Sequence, residues 1–183
     1  MGYKIAALVG SLRKDSLNRK TAENIIRLLP DNLKMEFVEI GHLPYYNEDL
    51  ETDSPPESWT NFRDEIRQYD AVFLFSPEYN RSVSAVLKNA LDVGSRPYGK
   101  SVWDGKPAAI ATASISGIGG AVANHTLRQS LVFLNMPVMQ QPEIYLGNAQ
   151  ELFDDSGRAT EKFEGFLKQV IAAYEKWIHQ ILK

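Results

Sequence analysis

The strongest constraint on this chain is an alternation of short, strand-length apolar runs, each ending in a turn, with longer segments of helical periodicity. Tyr3–Val9 is an apolar run closed by Gly10, the pattern of a strand buried on both faces. From Ser16 to Leu29, Leu17, Ala22, Ile25, Ile26 and Leu29 recur at helical spacing, and Pro30 closes the segment. Met35–Ile40 alternates weakly and reads as a second strand, Ser58–Tyr69 as a helix, and Ala71–Ser76 as the clearest strand of all. Ser82–Val93 is helical in pattern, with Lys88 and Asp92 able to pair across one turn. Ala108–Ala113 follows as a strand and Ala121–Leu134 as a helix. Met136–Met139 with Glu143–Leu146, interrupted by Pro142, supplies a fifth strand. Lys162–Ile181 closes the chain as an amphipathic helix, with Phe163, Phe166, Leu167, Val170, Tyr174, Trp177 and Ile181 on one stripe.

Five strands alternating with five helices predict an α/β fold, a doubly wound parallel sheet with helices on both faces and right-handed crossovers. The order 2-1-3-4-5 suits five strands of this length and puts a ligand crevice where the loops after strands one and three diverge. The 183 residues are expected to form a single domain, 1–183. One long irregular stretch, Gly41–Pro56, carries Pro44, Tyr45, Tyr46 and several acids. A loop of that length reads as functional or interface-forming.

Composition removes whole classes of function. The chain has no cysteine, which excludes disulfides, zinc ribbons, iron–sulfur clusters and thiol catalysis. The 20 Lys and Arg against 23 Asp and Glu give a net charge of −3, against a nucleic-acid partner. The Ile5–Gly10 run is too short for a signal-peptide core, and Ala71–Phe75, the longest uniformly apolar stretch further on, cannot cross a bilayer. The expectation is a soluble, cytoplasmic protein with no membrane partner. Ala6 stands where a myristoylation motif needs Ser or Thr. The sequons at Asn80 and Asn124, without a secretory signal, read as coincidence. His42, His125 and His179 lack metal-ligand spacing, so no metal is expected. There is no G-x-S-x-G elbow and no acid cluster after strand one, which argues against a serine hydrolase and a receiver domain.

The chemistry concentrates just after the strands. Strand one runs into Gly10-Ser11-Leu12-Arg13-Lys14-Asp15-Ser16-Leu17-Asn18 and then a helix. Free backbone N–H groups at a helix start favour an anion, Ser11, Ser16 and Asn18 add neutral donors, and Arg13 offers a fork matched to phosphate oxygens. Asp15 stands where a P-loop needs Gly. The alternative is a helix cap at Ser16 with Arg13 solvated. After strand three, Pro77-Glu78-Tyr79-Asn80 shape a turn along which a flat heteroaromatic ring can lie; alone, it is also an ordinary turn. After strand four, Ser114-Ile115-Ser116-Gly117-Ile118-Gly119-Gly120 fails the dinucleotide fingerprint at Val122. It reads either as a glycine-rich wall open to a ligand ring or as a turn leading into a helix.

Taken together and in order, Gly10-Ser11-Leu12-Arg13…Ser16…Asn18, Pro77-Glu78-Tyr79-Asn80-Arg81-Ser82 and Leu87-Lys88-Asn89-Ala90…Asp92…Ser95-Arg96-Pro97 resemble the NAD(P)H-dependent FMN reductase family, with the closest likeness to its bacterial quinone and chromate reductases. The likeness extends through Gly119-Gly120 and Leu127-Arg128-Gln129 and covers about residues 3 to 146.

The resemblance implies a flavodoxin-like fold and an FMN site. In it, Ser11, Arg13, Ser16, Leu17 and Asn18 hold the phosphate, and Pro77, Glu78, Tyr79 and Asn80 line the isoalloxazine ring. Ser114, Ser116 and Gly117 complete the cofactor site. It further implies NADPH or NADH as co-substrate and quinones as acceptors, with azo compounds, nitro compounds or chromate as side acceptors. Hydride transfer takes place on FMN with no catalytic side chain, and the subunits form a homodimer or homotetramer with Leu87–Pro97 near the interface. Close relatives often carry Arg at the position of Val122, so any role of that Arg in substrate placement or subunit contact is open here. Two other readings stand beside this one: a flavodoxin-type electron carrier, and a flavin-free enzyme for another phosphorylated ligand. A net charge of −3 and Arg13 in the phosphate loop argue against the carrier.

Overall fold

A computed structural model describes residues 2–183. The elements, in chain order, are β1 (Tyr3–Val9), α1 (Leu17–Leu28), β2 (Leu33–Phe37), α2 (Glu57–Arg67), β3 (Ala71–Ser76), α3 (Ala85–Gly94), β4 (Ala108–Ala113), α4 (Ala121–Phe133), β5 (Ile144–Leu146) and α5 (Glu161–Ile181). The five strands form one sheet in the order β2-β1-β3-β4-β5, with every pairing parallel, as the alternation predicts.

Successive side chains of a strand point to opposite faces, so the sheet divides the core in two. Ile5, Ala7, Val9, Phe73 and Phe75 pack under α1 and α5, against Ile25, Leu167, Val170 and Tyr174. Ala6, Leu8, Val72 and Leu74 face α2, α3 and α4, against Trp59, Ile66, Leu87, Leu91 and Leu127. β3 and β4 are buried along their whole length, which accounts for sequences that are apolar except at Ser76 and Thr112.

Three boundaries differ from the sequence expectation by three residues or more. β2 is Leu33–Phe37 rather than Met35–Ile40. Val38 still donates its N–H to Ala7 O at 3.0 Å, but the chain then leaves the ladder while Val38 and Ile40 stay buried. Met136–Met139 does not enter the fifth strand. It makes an isolated bridge in which Ala108 N–H reaches Pro137 O and Met139 N–H reaches Ala108 O, because Pro137 has no N–H to continue a ladder. α3 begins at Ala85 rather than Ser82. Asn80 and Arg81 adopt φ of 50° and 63°, and Tyr79 and Ser82 exchange backbone hydrogen bonds of 3.1 and 3.0 Å, folding that stretch back on itself. The expected Lys88–Asp92 pair forms, at 2.7 Å.

The long stretch after β2 is anchored at both ends. Asn89 of α3 accepts from Tyr46 N–H at 2.7 Å and donates to Leu43 O and Pro44 O, and the Trp59 indole N–H also reaches Pro44 O. Further along, buried Arg63 grips Glu51 with both terminal nitrogens, at 2.9 and 2.6 Å, and donates its Nε–H to Val93 O.

Candidate functional site

The loops after β1, β3 and β4 all leave the C-terminal edge of the sheet. β1 and β3 are paired through Val9 and Phe75, so their loops diverge from neighbouring strands and open a crevice. Three contacts close these loops into one frame.

The first contact is at Gly10. Its N–H donates to Phe75 O at 2.8 Å, and a Cβ there would lie 2.3 Å from Ser84 Oγ and 2.5 Å from Leu87 Cδ1. Only glycine lets α3 press this closely under the first loop. Beneath it, Ser84 Oγ is the one fully buried side-chain polar atom without a hydrogen-bond partner among the described residues.

The second contact is Asn18. Its Nδ2 donates to Ala113 O at 3.2 Å and its Oδ1 accepts from Ala113 N–H at 3.1 Å, tying the first turn of α1 to the end of β4. The amide is thereby used inside the fold, and what Asn18 offers the crevice is its backbone N–H.

The third contact is Glu78. Its Oε2 accepts from the N–H groups of Val122 and Ala123 at 3.0 and 3.1 Å, and its Oε1 accepts from Arg81 Nη1 at 2.8 Å. The carboxylate sits at the positive end of α4, where a negative charge is favourable. Glu78 therefore joins the second loop to the third, and its side chain is turned toward α4.

The first loop holds the anion-binding groups. Ser16 caps α1, its Oγ accepting from Arg19 N–H at 3.1 Å, which leaves the hydroxyl proton free to donate elsewhere. Among the described residues, no group of the chain accepts from the N–H groups of Ser11 to Asp15, Leu17 or Asn18. Arg13 is exposed and, among the described residues, in no ion pair. The cap and the anion site are thus compatible: one oxygen of Ser16 closes the helix while the N–H groups and Arg13 stay available.

The other two loops carry no free charge. Pro77 is buried, Tyr79 is half exposed, and Arg81 is held by Glu78. In the third loop Ser116 N–H donates to Ser114 Oγ at 3.2 Å, and the two hydroxyls lie 3.2 Å apart. Gly119 serves packing: it has φ 66°, and a Cβ on it would meet the Tyr145 and Gly147 backbone at 2.7 and 2.8 Å. Gly117 is open, with nothing within 4 Å of an added Cβ. A set of unpaired N–H donors plus one unpaired guanidinium suits a phosphate, and a neutral wall of backbone and small side chains suits a flat ring. The residues present fit FMN.

One group beside the third loop has a displaced pKa: burial raises the Tyr145 phenol, in β5 against Gly119. Burial pushes the Tyr69 phenol up to about 12, with Glu36 and Glu65 adding to it, and burial lowers the Lys106 ammonium. Both precede their strands, at the opposite edge of the sheet. Among the described residues no cluster of His, Asp or Glu could hold a metal ion.

Sequence reasoning placed the three loops but missed how they are joined. Ser84 carries a readable signal, a serine just ahead of a helix, though its hydroxyl does not cap that helix. The Asn18 and Glu78 ties have no local signal, since each partner lies 44 residues or more away.

Known proteins are similar to this chain in sequence and fold. Residues 3–151 match the family described as NADPH-dependent FMN reductase. The chain is 56% identical over 176 residues to a quinone reductase of Pseudomonas putida, covering 96% of this chain and 95% of that one. It is 41% identical over 179 residues to a 2-hydroxy-1,4-benzoquinone reductase of a Burkholderia species, covering 97% of both. Among solved structures, FerB, a flavoenzyme NAD(P)H:(acceptor) oxidoreductase from Paracoccus denitrificans, superposes with a TM-score of 0.91 at 39% identity, covering 98% of each chain.

Proposed function

This chain belongs to the NADPH-dependent FMN reductase family, and from that premise we propose that it passes electrons from NAD(P)H through bound FMN to quinones. The observation that carries this reading is the first loop, where unpaired N–H groups and unpaired Arg13 face one crevice with two neutral loops.

Arg13, the hydroxyls of Ser11 and Ser16, and the N–H groups of Leu17 and Asn18 hold the FMN phosphate. Pro77, Glu78, Tyr79 and Asn80 border the ring through their backbone, with the Glu78 carboxylate fixing the loop rather than touching the ring. Ser114, Ser116 and Gly117 complete the site. Bound FMN supplies the two-electron relay, accepting from NAD(P)H and donating to the quinone. The protein binds and orients, so no side chain has to act as acid or base. In balance, NAD(P)H, a proton and a quinone give NAD(P)⁺ and a quinol. NAD(P)H and quinone use the same crevice in turn, which predicts ping-pong kinetics. Azo compounds, nitro compounds and chromate are secondary acceptors.

On the same reading residues 1–183 are one domain working in the cytoplasm, where NAD(P)H pools are maintained. Among the described residues no helix is long and apolar enough to cross a membrane. A homodimer or homotetramer is supported by the α3–α4 face. There Val132, Phe133 and Tyr98 are exposed beside a cleft of about 750 Å³ lined by Leu91, Arg96, Phe133 and Leu134.

Anaerobic addition of NADPH to the FMN-loaded protein should bleach the flavin absorbance, and a quinone should restore it. A protein that keeps its colour is a carrier and not this enzyme. Arg13→Ala should weaken FMN binding by roughly 1.5–3 kcal/mol, the scale of charge-assisted hydrogen bonds. Unchanged affinity would refute the phosphate assignment.

A further inference from the structure

We propose that the β4–α4 side of the crevice is an apolar acceptor wall that selects uncharged quinones by their alkyl substituents, with Ile118 and Val122 as specificity-determining residues. The inference rests on the quinone-reductase reading above and names the acceptor class that the site prefers.

Apart from Leu50 and Leu182, the exposed large apolar side chains among the described residues fall in two places. One is the α3–α4 face, with Tyr98, Val132 and Phe133. The other is the set of loops at the C-terminal edge of the sheet: Leu12, Tyr45, Tyr79, Ile115, Ile118 and Val122. Within that second group, Ile115 is 69% exposed, Ile118 49%, Tyr79 47% and Val122 41%. All four belong to the loops after β3 and β4 or to the first turn of α4, the elements that Glu78 joins.

The wall is uncharged as well as apolar. From Thr112 to Asn124 the chain has no Asp, Glu, Lys or Arg. Glu78 nearby is occupied by two helix N–H groups and Arg81, and Arg81 by Glu78. The unpaired cation Arg13 belongs to the opposite loop. An oxyanion acceptor therefore finds its attraction on the phosphate side and none on this one, whereas an uncharged ring with apolar substituents gains by leaving water against Ile118 and Val122.

The wall is also held in place. Gly119 packs on the backbone at the end of β5, and Ala121 N–H donates to Ile118 O at 3.3 Å, so the turn that leads from Ile118 into α4 and Val122 is fixed. A rigid apolar surface discriminates between acceptors that differ by methylene groups, because its water-exposed area is already formed before binding.

The reaction itself is unchanged. The quinone gains two electrons and two protons, of which NAD(P)H supplies both electrons and one proton as hydride and the solvent supplies the other proton. Chain length alters binding in the crevice and not the balance.

The test uses the FMN-loaded protein with NADPH and a series of benzoquinones that share one ring and differ only in an alkyl chain, from methyl to hexyl. A sulfonated analogue supplies the anionic arm. kcat/KM should rise about tenfold along the series and be lowest for the sulfonated quinone. Ile118→Thr and Val122→Thr keep the branched shape and add a hydroxyl. Each should flatten the dependence to about twofold, with FMN affinity titrated in parallel to separate loss of cofactor. A flat series in the unsubstituted protein, equal use of the sulfonated quinone, or an unchanged slope in both FMN-binding variants overturns the inference. If FMN binds but no quinone is reduced at all, it is the quinone-reductase reading that fails.

Discussion

Glu78→Ala should open the join between the second and third loops. The carboxylate is only 7% exposed and makes three hydrogen bonds, two to the first turn of α4 and one to Arg81. Loss of a side-chain cap on a helix costs about 1 kcal/mol. Loss of a negative charge at the positive end of the helix adds about 0.5–1 kcal/mol. The ion pair adds little, about 0.3 kcal/mol, because Arg81 is 63% exposed and its attraction is screened. The sum is about 2 kcal/mol. Glu78→Gln keeps a carbonyl oxygen for both helix N–H groups and loses the charge, so about 1 kcal/mol is expected. Urea unfolding at a fixed FMN concentration, followed by far-UV circular dichroism, reads the change. With a slope of about 2 kcal/mol per molar, Ala should lower the midpoint by about 1 M and Gln by half that. FMN affinity should fall in the same rank order, since the loop whose backbone borders the ring is no longer held. An Ala midpoint equal to that of the unsubstituted protein, or a Gln variant as damaged as Ala, would refute the reasoning.

Asn18→Ala leaves the buried N–H and C=O of Ala113 without side-chain partners, and a loss of about 3 kcal/mol is expected in the same unfolding assay. A loss below about 1 kcal/mol would mean that the two backbone groups find other partners. Gly94→Ala places a Cβ 2.5 Å from the ring of Trp103, whose indole N–H donates to Leu91 O at 2.9 Å. Overpacking should outweigh the gain in helix propensity, for a net loss of about 1–2 kcal/mol and a shifted tryptophan emission; a stabilised variant would contradict this. Tyr69 has a phenol whose pKa is raised from 10.0 to about 12, so the fold favours its protonated form. That contribution is complete below pH 10 and is lost as pH rises from about 10 to 12, by about 2 kcal/mol. Tyr69→Phe should flatten this part of the stability profile, and parallel profiles for the two proteins would exclude Tyr69 as its source.

How much could be read from residues alone depended on whether the physics was local. β1, β3 and β4 were legible because a strand buried on both faces is mostly apolar, and α1 was legible from its spacing and from Ser16. The ends of β2 and the start of α3 were not. Val38 and Ile40 are apolar because they enter the core after leaving the ladder, and burial looks the same in sequence whether or not the backbone is paired. The start of α3 turns on the left-handed backbone of Asn80 and Arg81, which residue types permit but do not require.

The site divides the same way. Arg13, the run from Gly10 to Asn18 and the loops after β3 and β4 were all visible as loop chemistry following strands. The uses of Asn18 and Glu78 were not, for a side-chain amide or carboxylate is the same group whether it binds a ligand or braces the fold.

The sequence alone determined the layer architecture, the strand order expected for it, the absence of thiol chemistry and the three loops that would carry the site. Those follow from periodicity and from residue chemistry, which act over a few positions. Only the tertiary structure decided that Asn18 braces β4 and that Glu78 locks the second loop onto α4. These are distances between residues far apart in the chain, set by how the helices pack on the sheet, and no local pattern encodes them.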